Sequence, residues 1–272
     1  MPEWIWPGND PVVPSDDRGL AYGHGVFETL RVTPAGPVLL EAHRERLLAG
    51  CHALGIPFDA DGLDAWQQQA AERGLLAPQA PAVLKVTVTA GSGGRGYRPP
   101  DTVSPRVISA LVPAPSVPRE GARVRLCQQP LSSMAAGGGY KTLARLEQVL
   151  ASAELSDGEF EGLMAAGAGS GWVEGTRTCL FSVVDGTLVT PPREQLAVAG
   201  TLREWVVRNA GRFGLAVEER ALLGADFRNH GLLLGNSVMG LVPVSECGDS
   251  IVPTNVEATR LVDDVNRELG LG

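Results

Sequence analysis

Three prolines in the eight residues PAPSVPRE, 113–120, break this chain more decisively than any other feature. Proline fixes φ and lacks an amide donor, so neither a helix nor an interior strand runs through such a stretch. We therefore expect two bodies, residues 1–112 and 121–272, joined by a linker at 113–120. Before the linker, GVFETLRV reads as a strand, with a turn at Pro34–Gly36 and a short second strand. A helix over 41–54 carries an apolar stripe at Leu40, Leu47, Cys51 and Leu54, and a second helix covers 60–74. AVLKVTVTA, 82–90, alternates strictly, with Leu84, Val86 and Val88 facing inward and Lys85 solvated, and a further strand follows at 106–112.

After the linker, ARVRLCQQP is a strand, SSMAAGGG a flexible loop, and YKTLARLEQVLASAEL a helix with Leu143, Leu146, Leu150 and Ala153 on one face. CLFSVV and TLVTP flank Asp185-Gly186, the dipeptide that best favours a tight hairpin. A helix starts near Thr201, and LLLGNSVMGLVPV closes as strand, loop, strand. Strands and helices mix without regular βαβ alternation, which makes α+β the expected class.

With 31 acidic against 23 basic residues, the net charge of −8 disfavours a phosphate-tracking nucleic-acid binder and suits a small-molecule substrate. No apolar window is long enough for a membrane helix. MPEWIWPGNDP has no basic n-region, so the expected location is the cytoplasm. The four cysteines lack C-x-x-C spacing and read as free thiols, and the four histidines form no metal-ligand cluster.

Among the 23 basic residues only Lys85 and Lys141 are lysine. Lysine alone offers a primary amine that can be neutralised for Schiff-base chemistry. Lys141 follows three glycines and, on this reading, opens a helix, where a cation opposes the helix dipole. A lysine in such a place reads as functional. GSGGRG, 91–96, satisfies G-x-G-x-x-G after a strand, but YRPPDTVSP follows where a dinucleotide site needs a helix. The glycines instead make a loop that bends over a site and carries Arg95 and Tyr97.

If Lys141 holds pyridoxal phosphate, a carboxylate for the ring nitrogen and a phosphate cradle are also needed. Glu174, beside Val173, Leu180 and Phe181, is a candidate for the first. Gly200 and Thr201 at a helix start, and Asn236 and Ser237 in a Gly-Asn-Ser turn, are candidates for the second, though an ordinary cap and turn look the same.

The ordered set DRGLAYGHGVFETLRV, HRERL, GSGGRGY, YKTLARLEQVL, GWVEGTRTCLF, TPP, AGTLR and GNSVMGLVPV resembles fold-type-IV pyridoxal-phosphate enzymes from about residue 16 to 247. These comprise branched-chain and D-amino-acid aminotransferases and 4-amino-4-deoxychorismate lyases. GSGGRGY and KTLARLEQVL resemble the lyases most. The resemblance implies a two-domain α+β fold with the cofactor between the domains, and a homodimer. It implies Lys141 as the Schiff-base lysine, Glu174 as the ring-nitrogen partner and Arg46 of HRER as the phosphate-binding arginine, which spacing alone does not prefer over Arg44. It implies Thr201, Leu202, Asn236 and Ser237 on the phosphate and Val198 against the ring. Two asparagines usual in the family are replaced here by Ala144 and Cys179.

The activity so implied is cleavage of 4-amino-4-deoxychorismate to 4-aminobenzoate and pyruvate, with an aminotransferase as the alternative. Lys141 would remove the proton from the amine-bearing carbon. Thr29, two residues from Phe27 and so on the same strand face, would protonate the departing enolpyruvyl methylene. Arg95, beside Tyr97, is the expected clamp for substrate carboxylates, with Arg31 a weaker choice.

Overall fold

A computed structural model describes residues 2–8, 12–132, 139–167 and 171–271. The chain divides into two compact units. One comprises Met1–Ala114 with Tyr140–Ala144, the other Pro115–Gly139 with Arg145–Gly272. The break between Ala114 and Pro115 falls inside PAPSVPRE, but Tyr140–Ala144, counted from sequence with the C-terminal body, belongs to the first unit.

The first unit runs β1 (Glu3–Ile5), α1 (Arg18–Tyr22), β2 (Gly25–Thr33), β3 (Gly36–Pro37), α2 (Leu40–Ala53), α3 (Ala60–Glu72), β4 (Ala82–Thr89) and β5 (Arg106–Pro113). Its five strands lie in the order β1-β5-β4-β2-β3. Every pairing is antiparallel except β1 with β5. Alternation along β2 sends Val26, Glu28, Leu30 and Val32 to a buried face and leaves Phe27, Thr29 and Arg31 half-buried on the other. The buried face, with Leu84, Val86 and Val88 of β4, packs against Leu47 and Cys51 of α2 and Leu63 and Trp66 of α3. The Trp66 indole donates to Ser109 Oγ at 3.0 Å, so the one polar atom that the ring brings into the core is satisfied.

The second unit contains β6 (Ala122–Leu126), α4 (Leu146–Ser152), β7 (Glu161–Ala165), β8 (Trp172–Gly175), β9 (Cys179–Val184) and β10 (Thr187–Thr190). It continues through α5 (Thr201–Asn209), β11 (Ala216–Glu219), α6 (Gly224–His230), β12 (Leu233–Asn236), β13 (Gly240–Cys247), β14 (Ser250–Ile251) and α7 (Val256–Glu268). The strand order is β11-β10-β9-β12-β13-β6-β7-β8, with β14 on β13. β8 returns to pair with β9, so six of these strands close on themselves. Asp185 and Gly186 both have positive φ, 47° and 77°, as the tight hairpin between β9 and β10 requires. Leu163, Leu180, Leu234 and Val242 fill the core with Phe227 of α6.

The structure corrects one local expectation. No helix opens at Tyr140, because α4 starts only at Leu146. Residues 140–144 instead lie beside β2 through an antiparallel bridge of Thr142 with Val26, where Phe27 N donates to Lys141 O and Leu143 N to Gly25 O, both at 2.9 Å. The SSMAAGGG loop lies, over 133–138, outside the described residues.

Leu84, fully buried at the centre of the first sheet, tests the packing of this unit. We expect Leu84→Ala to lower unfolding free energy by about 2–5 kcal/mol, read from urea denaturation.

Candidate active site

In the first unit, the segment 140–144 brings Lys141 to the half-buried face of β2. Its Nζ stands 4.6 Å from the centroid of the Phe27 ring. Lys85 Nζ lies over the same ring at 5.0 Å, and Thr29 is the register partner of Lys85. Both lysines of the chain therefore flank Phe27, and the exposed Lys85 is more than a solvated strand residue. The close approach of the segment depends on Gly25, where a Cβ would stand 2.6 Å from Val88 O and 2.7 Å from Leu143 Cδ1. Arg31 shares the face, and its Nε is buried without a hydrogen-bond partner among the described residues.

On the opposite face of β2, the two arginines of HRER separate cleanly. Arg44 donates to Gln67 Oε1 and Asp64 Oδ1, both at 2.5 Å, and so ties α2 to α3. Arg46 turns towards the sheet, where Nε donates to Glu28 Oε1 at 2.7 Å and a terminal nitrogen to Glu28 Oε2 at 2.5 Å. The second carboxylate oxygen also meets His43 Nδ1 at 2.6 Å. Burial alone would push the Glu28 carboxyl up, but Arg46 and His43 outweigh it and hold it down at about 2. For His43, burial above all, with the charges of Arg46 and Lys141, lowers the pKa from the ordinary 6.5 although Glu28 acts to raise it. The ring is therefore neutral at pH 7, and its Nδ1–H donates to the carboxylate. Sequence reading missed Glu28 and His43. The alternation that buries an acid at position 28 was their only visible signal.

Arg95 and Tyr97 lie on the exposed loop after β4, with the Tyr97 ring edge-on to Tyr22 at 5.4 Å. No helix follows the glycines, in keeping with rejection of a dinucleotide turn.

In the second unit, Glu174 on β8 is 5% exposed, and its Oε2 accepts from Ala197 N at 3.0 Å and Val198 N at 3.4 Å. Its register partner is Cys179, a buried thiol pushed up to about 12 chiefly by that burial. A thiol held neutral acts as a donor, here to Gly235 O at 2.9 Å. Thr201 and Leu202 open α5, both buried, after Gly200, which has no side chain to cap them. Such a start directs amide hydrogens and the positive helix end towards an anion. Arg203, almost fully buried, anchors the start by donating to Pro191 O at 3.1 and 2.6 Å and by pairing with Glu219. Val198 is half-buried. Asn236 Oδ1 accepts from Val238 N and Met239 N, both at 3.0 Å, which fixes the turn that holds the buried Ser237. Each unit thus gathers its own share of the expected residues: Lys141, Phe27, Thr29, Arg31 and Arg46 in the first, Glu174, Val198, Thr201, Leu202, Asn236 and Ser237 in the second.

The family model for amino-transferase class IV matches residues 25–247. The chain belongs to this family. An aminodeoxychorismate lyase of Vibrio harveyi is 30% identical over 244 residues, covering 86% of each chain. The crystal structure of 4-amino-4-deoxychorismate lyase from Pseudomonas aeruginosa is 36% identical, with a TM-score of 0.87 over 96% of this chain and 97% of its own. A branched-chain amino acid aminotransferase from Escherichia coli, 22% identical, superposes with a TM-score of 0.81 over 93% of this chain and 87% of its own, and so shares the fold. The α+β architecture is that of the class IV aminotransferases.

Glu28 supplies a pH test with a definite sign. Its folded pKa lies near 2 against an ordinary 4.5, so its contribution to stability is present above 4.5 and fades as pH falls towards 2. We expect Glu28→Gln to be less stable at neutral pH and to lose stability less steeply over that window. Urea unfolding at stepped pH checks this, and parallel declines in both proteins would count against it.

Proposed function

We propose that this protein is an aminodeoxychorismate lyase that converts 4-amino-4-deoxychorismate to 4-aminobenzoate and pyruvate with pyridoxal 5'-phosphate as cofactor. One observation carries this reading: the Lys141 amine lies over Phe27 on the strand face that also bears Thr29, so a base and a hydroxyl donor share one surface. The names of the lyases from Vibrio harveyi and Pseudomonas aeruginosa support it.

The donor set fits the cofactor group by group. Lys141 would hold the aldehyde and Glu174 the ring nitrogen, with Val198 against the ring. The uncapped, buried start of α5 at Thr201 and Leu202 suits a phosphate, as does the guanidinium of Arg46, and the turn at Asn236 and Ser237 would complete the cradle. What pyridoxal phosphate supplies when bound is an electron sink joined to the substrate amine.

The protein's own groups do the proton work. Lys141 Nζ takes the proton from the amine-bearing ring carbon. The bond between the adjacent carbon and the enolpyruvyl oxygen then breaks, and the ring becomes aromatic. Thr29 Oγ1 gives a proton to the methylene carbon of the departing enolpyruvate, which leaves as pyruvate. Arg95, with Tyr97, and Arg31 bind the substrate carboxylates, and Phe27 packs against the ring.

We also read the protein as a cytoplasmic homodimer with no nucleic-acid or membrane partner. Leu146, Val149 and Leu150 leave an apolar face of α4 47–69% exposed, as a self-complementary contact needs. Among the described residues no helix is long and apolar enough to cross a membrane.

The test is a coupled assay with chorismate, glutamine and an aminodeoxychorismate synthase, following 4-aminobenzoate. We expect wild type to form product and Lys141→Ala to lose it by on the order of 1000-fold or more, with Thr29→Val losing roughly 100-fold. A protein that instead moves amino groups from leucine or D-alanine to 2-oxoglutarate would be an aminotransferase. Visible colour gained by wild type on adding pyridoxal phosphate, and absent in Lys141→Ala, checks the cofactor separately.

A further inference from the structure

The loop that bears Arg95 and Tyr97 is built around a buried cation. Arg18, only 2% exposed, opens α1 behind Asp17. One terminal nitrogen of its guanidinium donates to Gly93 O at 3.1 Å, Gly96 O at 3.3 Å and Arg98 O at 3.4 Å. The other donates to Tyr97 O at 2.7 Å. Nε donates to His24 Nδ1 at 3.2 Å, so His24 carries its proton on Nε2 and donates it to Leu54 O at 2.9 Å. Four carbonyls of one six-residue stretch thus converge on one guanidinium.

This arrangement accounts for the glycines of GSGGRG. Gly93, Gly94 and Gly96 all have positive φ, between 60° and 107°, and the carbonyls of Gly93 and Gly96 turn inward. A Cβ on Gly94 would stand 2.4 Å from Arg98 O and 3.0 Å from Arg18. With the carbonyls directed in, Arg95 and Tyr97 are left outside, Tyr97 at 87% exposure.

Among the described residues no carboxylate pairs with Arg18. Asp17, its neighbour in sequence, is fully buried but committed elsewhere: Oδ1 caps α1 through Gly19 N and Leu20 N, and Oδ2 accepts from Thr89 Oγ1 at 2.9 Å and pairs with Arg106. The loop is therefore a platform held from beneath by one buried guanidinium, with a second, Arg95, exposed on its outer side. The exposed guanidinium suits an anionic, carboxylate-bearing ligand.

We propose that Arg18 is the positioning residue of the substrate loop: it sets KM for the carboxylate-bearing substrate by fixing the backbone from Gly93 to Arg98 and so the stance of Arg95. The identity of that substrate rests on the lyase reading above, whereas the part that Arg18 plays in holding the loop does not. Lysine in its place keeps the charge but concentrates it in one ammonium that cannot span the converging carbonyls.

The experiment compares Arg18→Lys, Gly94→Ala, Arg95→Gln and the Arg18→Lys/Arg95→Gln double variant as holoenzymes. Gly94→Ala lifts the loop while leaving Arg18 in place, so it guards against a folding defect peculiar to the arginine. We expect each single variant to raise KM by about tenfold or more, the worth of one charge-assisted hydrogen bond, with kcat within a few-fold of wild type. The double variant should be little worse than Arg95→Gln alone, because both changes remove the same contact. Amide hydrogen exchange over residues 93–98 should quicken in Arg18→Lys, while cofactor colour and thermal midpoint stay near wild type. Unchanged KM and exchange, an effect on kcat alone, or full additivity in the double variant would overturn the proposal. Wild type that forms no 4-aminobenzoate would sink the lyase reading instead. The exchange rates, and the KM for the amino acid then used, would still decide the role of Arg18.

Discussion

The Glu28 carboxylate stays ionised in the interior only because Arg46 and His43 meet it there. A lone buried carboxylate is far too costly to keep, whereas one whose two oxygens take three donors is stable. That requirement couples β2 to α2, since the acid comes from the strand and both partners come from one helix. It also fixes the register of β2. Once Glu28 faces the helices, alternation must send Phe27, Thr29 and Arg31 to the other side. A one-residue slip would bury those three and expose Glu28, Leu30 and Val32. The arrangement of the half-buried face is thus set by an ion pair made by the residue that alternation sends to the other side of the strand.

The segment from Tyr140 to Ala144 takes its shape from the same strand. Apolar periodicity from Leu143 to Leu150 reads as one continuous helix, yet no helix begins before Leu146. Each residue of a short helix adds one hydrogen bond, but pairing with β2 offers Lys141 O and Leu143 N immediate partners on an already formed strand. Gly25 leaves room for that approach and Gly139, with φ 87°, turns the chain into it. Lys141 therefore owes its position to strand geometry and the Phe27 ring, and the helix-dipole argument for it falls away.

What was legible in the sequence follows a pattern with a physical cause. Leu84, Val86 and Val88 in β4, the Asp185-Gly186 hairpin and the start of α5 at Thr201 all depend on residues adjacent in the chain. Local chemistry writes those features into local sequence. Glu28 with His43, and Arg18 with the carbonyls of 93–98, join residues 15 and up to 80 positions apart. Nothing in a single chain marks such pairs until the sheet brings them together. Lys85 shows the same limit: alternation correctly puts it outside, but that its amine reaches Phe27 depends on the register of β4 against β2.

The two departures from the family pattern are of different kinds. At Cys179 the side chain donates to Gly235 O, because burial keeps the thiol protonated. This weak donor ties β9 to β12 beside Glu174. At Ala144 no donor is kept. Its Cβ lies 3.4 Å from where a Cβ on Gly23 would stand, and Gly23 is the left-handed residue that ends α1. A small residue at 144 lets the Lys141 segment lie close to that turn, and α1 is the helix that carries Arg18. The change at 144 thus falls beside the helix whose buried Arg18 holds the backbone of residues 93–98.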